Sequence, residues 1–577
     1  MRAVLSSSLV STALLTLTSS ASAQVTQAPL PQAFPSAVSA STALASFDAG
    51  ELARLAQRNG TSVAELREIL STHQTAWVSG AGDVFFVDTA VPSQRGAFED
   101  IEPVRPRQAI TQTEAFTLNS MPGADITIYL DFDGHHSVNN SWGHNIMFTA
   151  FDTNGDPSTF SQAELDTIFE QWRRVVEDFA PFVVNVTTEE PPVGDLRKQG
   201  GGDTRWGVRC LMTQPTSGFG NGIGGVAFLN SFDDSIDNPV FTFNKGNNNG
   251  SMTASHEVGH ALGLSHDGLN GSEYHPGAGG NGATGWGPIM GAPFGKNLVQ
   301  WSNGSYAGST TTQNDLNIIT RTSNGLVYKA DDQGDAVPSA DPALALSCPT
   351  LGRATVNGLI EDRNDVDTYR FRASGGDVSI AVDTVPGPNV DALLELYDDS
   401  GMLVASNNFI GQVNASLDVT LDAGEYTVLV DGTERLPRYD DYGSIGQYTL
   451  TITEPIWTSV PAGTGSGPQL TGFGQACELE PIEMLVQGAP ANGVVYVLFG
   501  HERLTDASVD GLRLVPDLRA QGGVHVVQAD AEGTARLTRL WPAGMPAGTR
   551  VSFQAWMADT STAVGLTATN AVEISVR

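Results

Sequence analysis

The segment Ser255–Asp267, S-H-E-V-G-H-A-L-G-L-S-H-D, constrains the fold of this chain more than any other feature. His256 and His260 are four residues apart, so a helix places both imidazoles on one face, with Cβ atoms about 6 Å apart. This spacing lets two imidazoles bind one Zn²⁺ ion. Glu257 follows the first of them, where a carboxylate can act as general base on a metal-activated water.

Gly263 determines where the chain goes after the second histidine. A helix that continued past this residue would carry His266 away from the metal. Glycine tolerates the left-handed conformation that ends a helix and turns the chain back. The spacing therefore predicts His266 as a third zinc ligand, which leaves a fourth position for water.

These residues resemble the zinc signature of the metzincin metallopeptidases, H-E-x-x-H-x-x-G-x-x-H. The Asp267 that follows is similar to that of the adamalysin/reprolysin branch. Gly287–Gly291, G-P-I-M-G, resembles the Met-turn under the metal and points to Met290. No tyrosine stands two residues after Met290, so the tyrosine fifth ligand of astacins and serralysins is not expected.

The resemblance covers about 118–330 and implies an α/β domain with a mixed twisted sheet and an active-site helix. It also implies that Gly224–Phe228 is an edge strand above the cleft, where an extended peptide binds by strand addition. Asp315–Ile319 would belong to the last helix of this domain. The function implied is a zinc endopeptidase whose partner is a protein or peptide substrate. Two alternatives remain: a zinc hydrolase of a non-peptide bond, and a non-catalytic extracellular adhesin.

The N-terminus predicts export. Met1–Ala23 has a basic Arg2, a short apolar stretch and the cleavage signal Ala21-Ser22-Ala23, which is typical of a bacterial Sec signal peptide cut after Ala23. No other stretch approaches 18 uninterrupted apolar residues, so no membrane span is expected after removal of the signal. The mature protein is therefore predicted to be secreted.

Residues 24–115 are predicted to be a propeptide, which makes the protein a zymogen. Gly50–Leu70 carries a helical pattern interrupted at Asn59-Gly60, and Trp77–Val87 is typical of a hairpin. The first cysteine, Cys210, comes later, so a thiolate latch on the zinc is excluded. Latency would come from steric blocking or from an acidic ligand such as Asp100.

Two all-β regions follow a linker at 331–350. Residues 351–455 resemble a bacterial pre-peptidase C-terminal (PPC) domain, through N-D-V-D-T-Y-R-F at Asn364–Phe371 and A-G-E-Y-T-V at Ala423–Val428. Residues 470–577 show the strand and turn pattern of an immunoglobulin-like β-sandwich. The predicted fold class is thus multidomain, with the α/β domain followed by two sandwiches.

The net charge of the chain limits the kinds of molecule that it is expected to bind. The chain has 577 residues with 30 basic and 64 acidic side chains, a net charge of −34. This negative field repels phosphate backbones, so nucleic-acid binding is not expected. Three cysteines allow at most one intramolecular disulfide. The oligomeric state is left open.

Calcium is a second cofactor that the sequence leaves open. Asp152–Asp156 begins like a calcium loop, but Pro157 stands where an EF-hand needs glycine. A solvated turn explains it as well, and charged turns are the favoured interpretation of Asp398-Asp399 and Asp440-Asp441. Asp131 and Asp133 near His135-His136 are interpreted as a polar strand end, and His275 is expected to be exposed in a glycine-rich loop.

Overall fold

The computed structural model describes residues 36–90, 109–215, 219, 221–280, 282–346, 352–373, 375–454, 457–462, 467–474, 476–519, 521–546 and 548–575. The predicted signal peptide, Asp100 and Cys348 lie outside these ranges. Cys477 is disulfide-bonded and Cys210 is free and buried. None of the helices in the described ranges is both long and apolar enough to cross a membrane.

An eight-stranded mixed sheet forms the first part of the molecule. Its strand order is β1-β2-β3-β9-β10-β8-β4-β7, and β4, β7, β8 and β10 run parallel while the others pair antiparallel. Two two-stranded sheets, β5-β6 and β11-β12, accompany it. The strands are β1 Val38–Ser39, β2 Ala76–Val78, β3 Val84–Thr89, β4 Ile126–Asp131, β5 His135–Asn140, β6 Gly143–Phe148, β7 Asn185–Thr187, β8 Trp206–Met212, β9 Ile223–Phe228, β10 Val240–Thr242, β11 Trp286–Pro288 and β12 Leu298–Gln300.

Among the residues that the structure describes, seven α-helices lie in the same part of the chain. The longest two, α5 and α6, pack against each other and cover the sheet. Ser161 and Glu164 form a capping box at the start of α5. The helices are α1 Ala40–Ser46, α2 Ala49–Arg58, α3 Val63–Thr72, α4 Gln112–Ala115, α5 Gln162–Asp178, α6 Asn247–Leu262 and α7 Asp315–Ile319.

The N-terminal segment has the elements that its sequence predicts. The helices α2 and α3 flank the break at Asn59-Gly60, and β2 and β3 form the hairpin. However, β3 also pairs antiparallel with β9 over Phe85–Thr89. The predicted propeptide therefore extends the sheet of the body, and β9 lies inside the sheet, not at its edge. The boundary between the two stays a prediction.

The next region, 352–454, is a sandwich of two four-stranded sheets, β13-β20-β15-β18 and β14-β19-β16-β17. Its buried side chains are continuous with those around α5 and α6, so the two regions share one apolar core. The strands are β13 Arg353–Ile360, β14 Asp367–Ala373, β15 Gly376–Thr384, β16 Ala392–Asp398, β17 Leu403–Asn407, β18 Ala415–Leu421, β19 Gly424–Gly432 and β20 Gly446–Thr453.

The last region has its own apolar core and is all β. A five-stranded sheet, β21-β30-β29-β24-β27, faces the three-stranded sheet β22-β23-β28, and β25-β26 is a small hairpin. The strands are β21 Trp457–Val460, β22 Gln469–Gly474, β23 Pro481–Gln487, β24 Val494–Gly500, β25 Ser508–Val509, β26 Leu512–Arg513, β27 Gly523–Gln528, β28 Ala535–Leu540, β29 Arg550–Ala558 and β30 Leu566–Ser575. The chain as a whole is β-rich, with several separate sheets.

Candidate metal centre

Helix α6 carries His256, Glu257 and His260, and all three side chains are buried. Its N-cap is Gly246. Ser251 lies within the helix and does not act as a cap, because its Oγ donates back to the carbonyls of Asn247 and Asn248.

The turn after α6 has the predicted geometry. Gly263 is the C-cap, in the left-handed region with φ 107°. A Cβ at this position would also collide with the Asn230 side chain. The chain turns back here, and His266 meets the two histidines of the helix.

Each of the three histidines has its Nδ1 atom held by an acceptor. His256 Nδ1 lies 2.9 Å from Ile289 O, and His260 Nδ1 lies 2.8 Å from Leu264 O. His266 Nδ1 lies 2.9 Å from Glu273 Oε1. Carbonyl and carboxylate oxygens can only accept, so the proton of each neutral ring is on Nδ1 and the lone pair is on Nε2.

The three Nε2 atoms converge, together with a carboxylate from the N-terminal segment. His260 Nε2 and His266 Nε2 are 3.1 Å apart. Asp88 Oδ2 lies 3.3 Å from His256 Nε2 and 3.4 Å from His260 Nε2, and Asp88 Oδ1 lies 3.2 Å from His266 Nε2. Lone pairs facing each other at these distances repel unless a cation lies between them.

The donor set fits a zinc ion. Ligand atoms about 2.0–2.1 Å from a tetrahedral Zn²⁺ lie about 3.3–3.4 Å from one another, which matches the separations around Asp88. Burial lowers the pKa of His260 to about 3, whereas Asp88 raises the pKa of His266 to about 9, so a positive charge at this centre, from a metal or from a proton on His266, is needed to balance Asp88. The structure therefore contains a His₃Asp group suited to a metal, and the sequence had pointed to its three histidines.

Glu257 lies beside this group, between α6 and β9. Its side chain is fully buried, and within the described residues neither carboxylate oxygen has a hydrogen-bond partner. A Cβ at Gly225 of β9 would collide with Glu257 Oε1, so only glycine there leaves room for this carboxylate. Burial, and then the charge of Asp88, raise the pKa of Glu257 well above its usual value.

The two other predicted supporting residues lie beneath the histidines. Met290 is fully buried, and a Cβ at Gly259 of α6 would collide with its sulfur. Asp267 N donates to Met290 O at 2.8 Å, which joins the turn after His266 to the segment that resembles a Met-turn. Asp267 itself is buried, and burial raises its pKa to about 7.

Three functional candidates escaped the sequence reasoning: Asp88, Glu273 and Tyr274. Tyr274 Oη donates to Asp88 Oδ1 at 2.6 Å, and its ring lies 4.3 Å from that of His266. Glu273 Oε1 accepts from Thr75 Oγ1 in the N-terminal segment as well as holding His266. The sequence offered one sign of the acidic ligand: Asp88 directly follows the apolar run of β3. The sequence had instead pointed to Asp100 for this ligand.

The remaining candidates do not join this centre. Asp131 Oδ2 forms a buried ion pair with Arg209 Nη1 at 2.5 Å, in agreement with a structural role at the end of β4. His275 is buried against Trp286 and Tyr306, so its expected exposure is wrong. The reason is that His275 N donates to Asp267 O at 2.7 Å, which pulls this loop onto the turn after His266.

Comparison with known proteins gives little. No family model matches the sequence, and no curated protein matches it with significance. Among solved structures, the pre-peptidase C-terminal domain of a Bacillus anthracis collagenase is 20% identical; the match covers 18% of this chain and 89% of that domain, with a TM-score of 0.14. A Salmonella Typhimurium periplasmic lysozyme inhibitor is 22% identical; the match covers 18% of this chain and 89% of the inhibitor, with a TM-score of 0.13.

A third structure, the β-glucuronidase of Bifidobacterium dentium, is 14% identical; the match covers 38% of this chain and 42% of that enzyme, with a TM-score of 0.12. None of these three structures is a metzincin. Similarities at this level carry no conclusion about function, which must come from the centre itself.

Proposed function

We propose that the protein is a secreted zinc-dependent endopeptidase of the metzincin type, synthesised as a latent precursor. The observation that carries this proposal is the position of Glu257. A fully buried carboxylate with no hydrogen-bond partner within the described residues lies next to three converging imidazole nitrogens. Such a group costs stability, and a role in proton transfer explains why it is there.

His256, His260 and His266 would hold the zinc. When bound, the ion supplies a Lewis acid that acidifies a water molecule and polarises the scissile carbonyl. Glu257 accepts the proton that the water loses and delivers it to the leaving amine nitrogen. Burial raises the pKa of Glu257, which makes its carboxylate a stronger base for this proton.

Strand β9 would position the substrate. In the described chain β3 lies antiparallel on β9, with Asp88 opposite Gly225. Without β3, the same edge would offer its backbone N–H and C=O groups to an extended peptide. The substrate residue that pairs with Gly225 in place of Asp88 would then lie close to Glu257, whose side chain contacts Gly225.

The N-terminal segment would keep the precursor inactive by occupying this position. Asp88 would take the fourth ligand place on the zinc, and the Phe86 ring stacks on His260 with centroids 4.1 Å apart. Tyr274 fixes the Asp88 carboxylate from the other side. Because residues 24–115 contain no cysteine, the sequence leaves a steric block or an acidic ligand as the source of latency. The proposed latency combines both, with Asp88 as the acidic ligand instead of Asp100.

The strongest alternative is a closed structural zinc site, because four protein ligands are typical of such sites. A structural site does not require Glu257, and burying its carboxylate beside the ligands without a hydrogen-bond partner lowers the stability of the protein. A hydrolase of non-peptide bonds would use the same centre, but the antiparallel pairing of β3 on β9 favours a peptide. A non-catalytic adhesin would need none of these features.

The test is casein zymography on three proteins, each with a site for a sequence-specific protease inserted between residues 95 and 107. Wild type should be inactive before this cleavage, active after it, and inactive again with a chelator. Asp88→Ala should gain partial activity without cleavage, below that of the cleaved protein because β3 still covers β9. Its control Asp83→Ala, in the turn of the same hairpin, should behave like wild type.

Cleaved, folded and zinc-loaded protein that hydrolyses neither casein nor a peptide library would overturn the proposal. Activity on esters alone would establish the non-peptide hydrolase. Activity of uncleaved wild type equal to that of Asp88→Ala would show that Asp88 does not enforce latency.

A further inference from the structure

A second group of carboxylates lies where the chain leaves the first sheet region and enters the first sandwich. One oxygen from each of Asp331, Asp365 and Asp367 lies within 4.8 Å of the others. Asp331 belongs to the segment before the sandwich and is exposed, whereas Asp367 opens β14 and is fully buried. The group therefore joins the predicted linker to the sandwich.

The buried carboxylates of this group have oxygens without partners. Asp367 Oδ2 accepts a hydrogen bond from Tyr448 Oη, and Asp365 Oδ2 accepts from Glu361 N at 2.8 Å. Within the described residues, Asp367 Oδ1, Asp365 Oδ1 and Glu361 Oε2 have no hydrogen-bond partner. Asp365 and Asp367 are thus each fixed through one oxygen while the second remains without a partner in the interior, which is unfavourable without a ligand.

The charges in this group repel one another. Burial, and then the neighbouring carboxylates Asp365 and Asp332, raise the pKa of Asp367 to about 8. Burial and Asp365 also raise the pKa of Glu361 to about 9. Several carboxylates crowded together in this way need a cation to remain ionised at neutral pH.

The segment that contains Asp331 packs against the start of β14 through backbone hydrogen bonds. Thr368 N donates to Gly334 O at 3.1 Å, and Gly334 N donates to Asp341 Oδ2 at 3.1 Å. These bonds place Asp331 over the end of the sandwich that carries Asp365 and Asp367. The exposure of Asp331 leaves one side of the group open to water.

We propose that Asp331, Asp365 and Asp367, with Glu361 beside them, bind one Ca²⁺ ion. All the donors are oxygens, which suits a hard cation and not Zn²⁺. Ca²⁺ accepts six to eight oxygens in irregular geometry and completes its shell with water, whereas Mg²⁺ requires a near-ideal octahedron. The mixture of buried carboxylates and one open side matches calcium.

The ion would fix the junction between the two regions. Asp331 comes two residues after Lys329, whose backbone N–H donates to Pro181 O in the first region at 2.8 Å. A cation held by Asp331 and by the start of β14 therefore ties this connection to the sandwich. Without the ion we expect the connection at 331–346 to open and become accessible to proteases.

The experiment uses the full-length chain, freed of calcium and kept at a fixed, saturating zinc concentration so that the histidine centre stays filled. Ca²⁺ alone is titrated by calorimetry, and Tm and the rate of proteolysis within 331–346 are followed. Asp367→Asn keeps the acceptor for Tyr448 but removes the charge. Asp331→Asn, at an exposed position, serves if Asp367→Asn does not fold. Asp399→Asn, in a charged turn of the same sandwich, is the matched control.

We expect wild type to bind one Ca²⁺ per chain with a rise in Tm and slower proteolysis. Asp367→Asn and Asp331→Asn should weaken binding by about tenfold or more, since affinity follows the ligand charge, and Asp399→Asn should match wild type. The proposal fails if wild type shows no Ca²⁺-dependent heat or Tm shift, if Mg²⁺ binds equally well, or if Asp399→Asn weakens binding as much as Asp367→Asn. Peptidase activity plays no part in these readouts.

Discussion

The histidine centre and the carboxylate centre both gather donors from distant parts of the chain, but they do so with different chemistry. The first has three imidazole nitrogens whose other ring nitrogens are held by acceptors. The second has only carboxylate oxygens, some of them buried without partners. Nitrogen donors in a tight tetrahedron favour zinc, and crowded oxygens favour calcium.

The two centres also differ in what they connect. In the histidine centre the fourth donor, Asp88, comes from the N-terminal segment, which the proposed maturation would remove. In the carboxylate centre Asp331 and Asp367 lie in regions that share one apolar core. Under the proposed function, the histidine centre would lose one donor on maturation, whereas the carboxylate centre would keep all of its donors, and the following predictions test this difference.

The largest effect is expected at Glu257, which has no counterpart in the carboxylate centre. Glu257→Gln in the cleaved enzyme should lower kcat by about 10³-fold or more, because an amide cannot take the proton. Zinc content should stay at one per chain. Kinetics on a peptide substrate with metal analysis check this, with the exposed Glu189→Gln as control. Retained turnover would remove Glu257 from the mechanism.

His266→Ala should lower zinc affinity and Tm together, because metal binding is linked to folding. Glu273→Gln, which only weakens the hold on His266 Nδ1, should cost about 10–100-fold in zinc affinity and less than the loss of the ligand. Zinc titrations and melting curves measure both. Calcium binding should be the same in the two variants; if it falls as well, the centres are not independent.

Removal of the sandwich should destabilise the first region more than removal of the last region. A chain that ends at 330 loses Tyr442, whose hydroxyl accepts from Leu316 N at 2.7 Å, and exposes part of the shared core. We expect its Tm to fall by roughly 5–10 °C relative to a chain that ends at 454, which keeps both. Equal melting temperatures would show that the first region is a separate domain, as the sequence suggested.

The smallest effect concerns the contact between α5 and the sandwich. Glu177 Oε1 accepts from Asn389 N and Gln447 N, and burial raises its pKa to about 7. The folded protein thus holds this proton more tightly than the unfolded chain, so the stability is full below about pH 4.5 and is lost as the pH rises through 7.

Glu177→Gln keeps the acceptor and removes the ionisation. The fall in stability between pH 5 and 8 should shrink by roughly 1–3 kcal/mol, as followed by urea unfolding at several pH values. Asp166→Asn, on the exposed face of the same helix, is the control. An unchanged pH profile in Glu177→Gln would mean that Glu177 ionises freely in the folded protein.

Much of the secondary structure, and the three histidines of the histidine centre, could be predicted from residue patterns that span only a few positions. The capping box at Ser161, the hairpin β2-β3 and the turn at Gly263 depend on residues within a few positions of one another. His256 and His260 share a face because of the helix period, and the turn at Gly263 brings back His266. Such features are set by local backbone geometry and are readable without the fold.

The contacts that span the sheet could not be read in this way. Asp88 reaches the histidines because β3 pairs with β9 in one register, and a shift by one residue would turn its side chain to the other face. The calcium candidates that the sequence offered, such as Asp152, spend their oxygens on their own loop, with Gly155 N and Asp156 N donating to Asp152 Oδ1.

The sequence by itself therefore determined the three imidazoles, the position of Glu257 and the turn between them, because eleven consecutive residues contain all the geometry that these groups need. Only the tertiary structure decided which carboxylate faces the imidazoles and which acidic residues crowd together at the sandwich. Those positions depend on strand register and on burial, and both are fixed by packing between segments that are far apart in the chain.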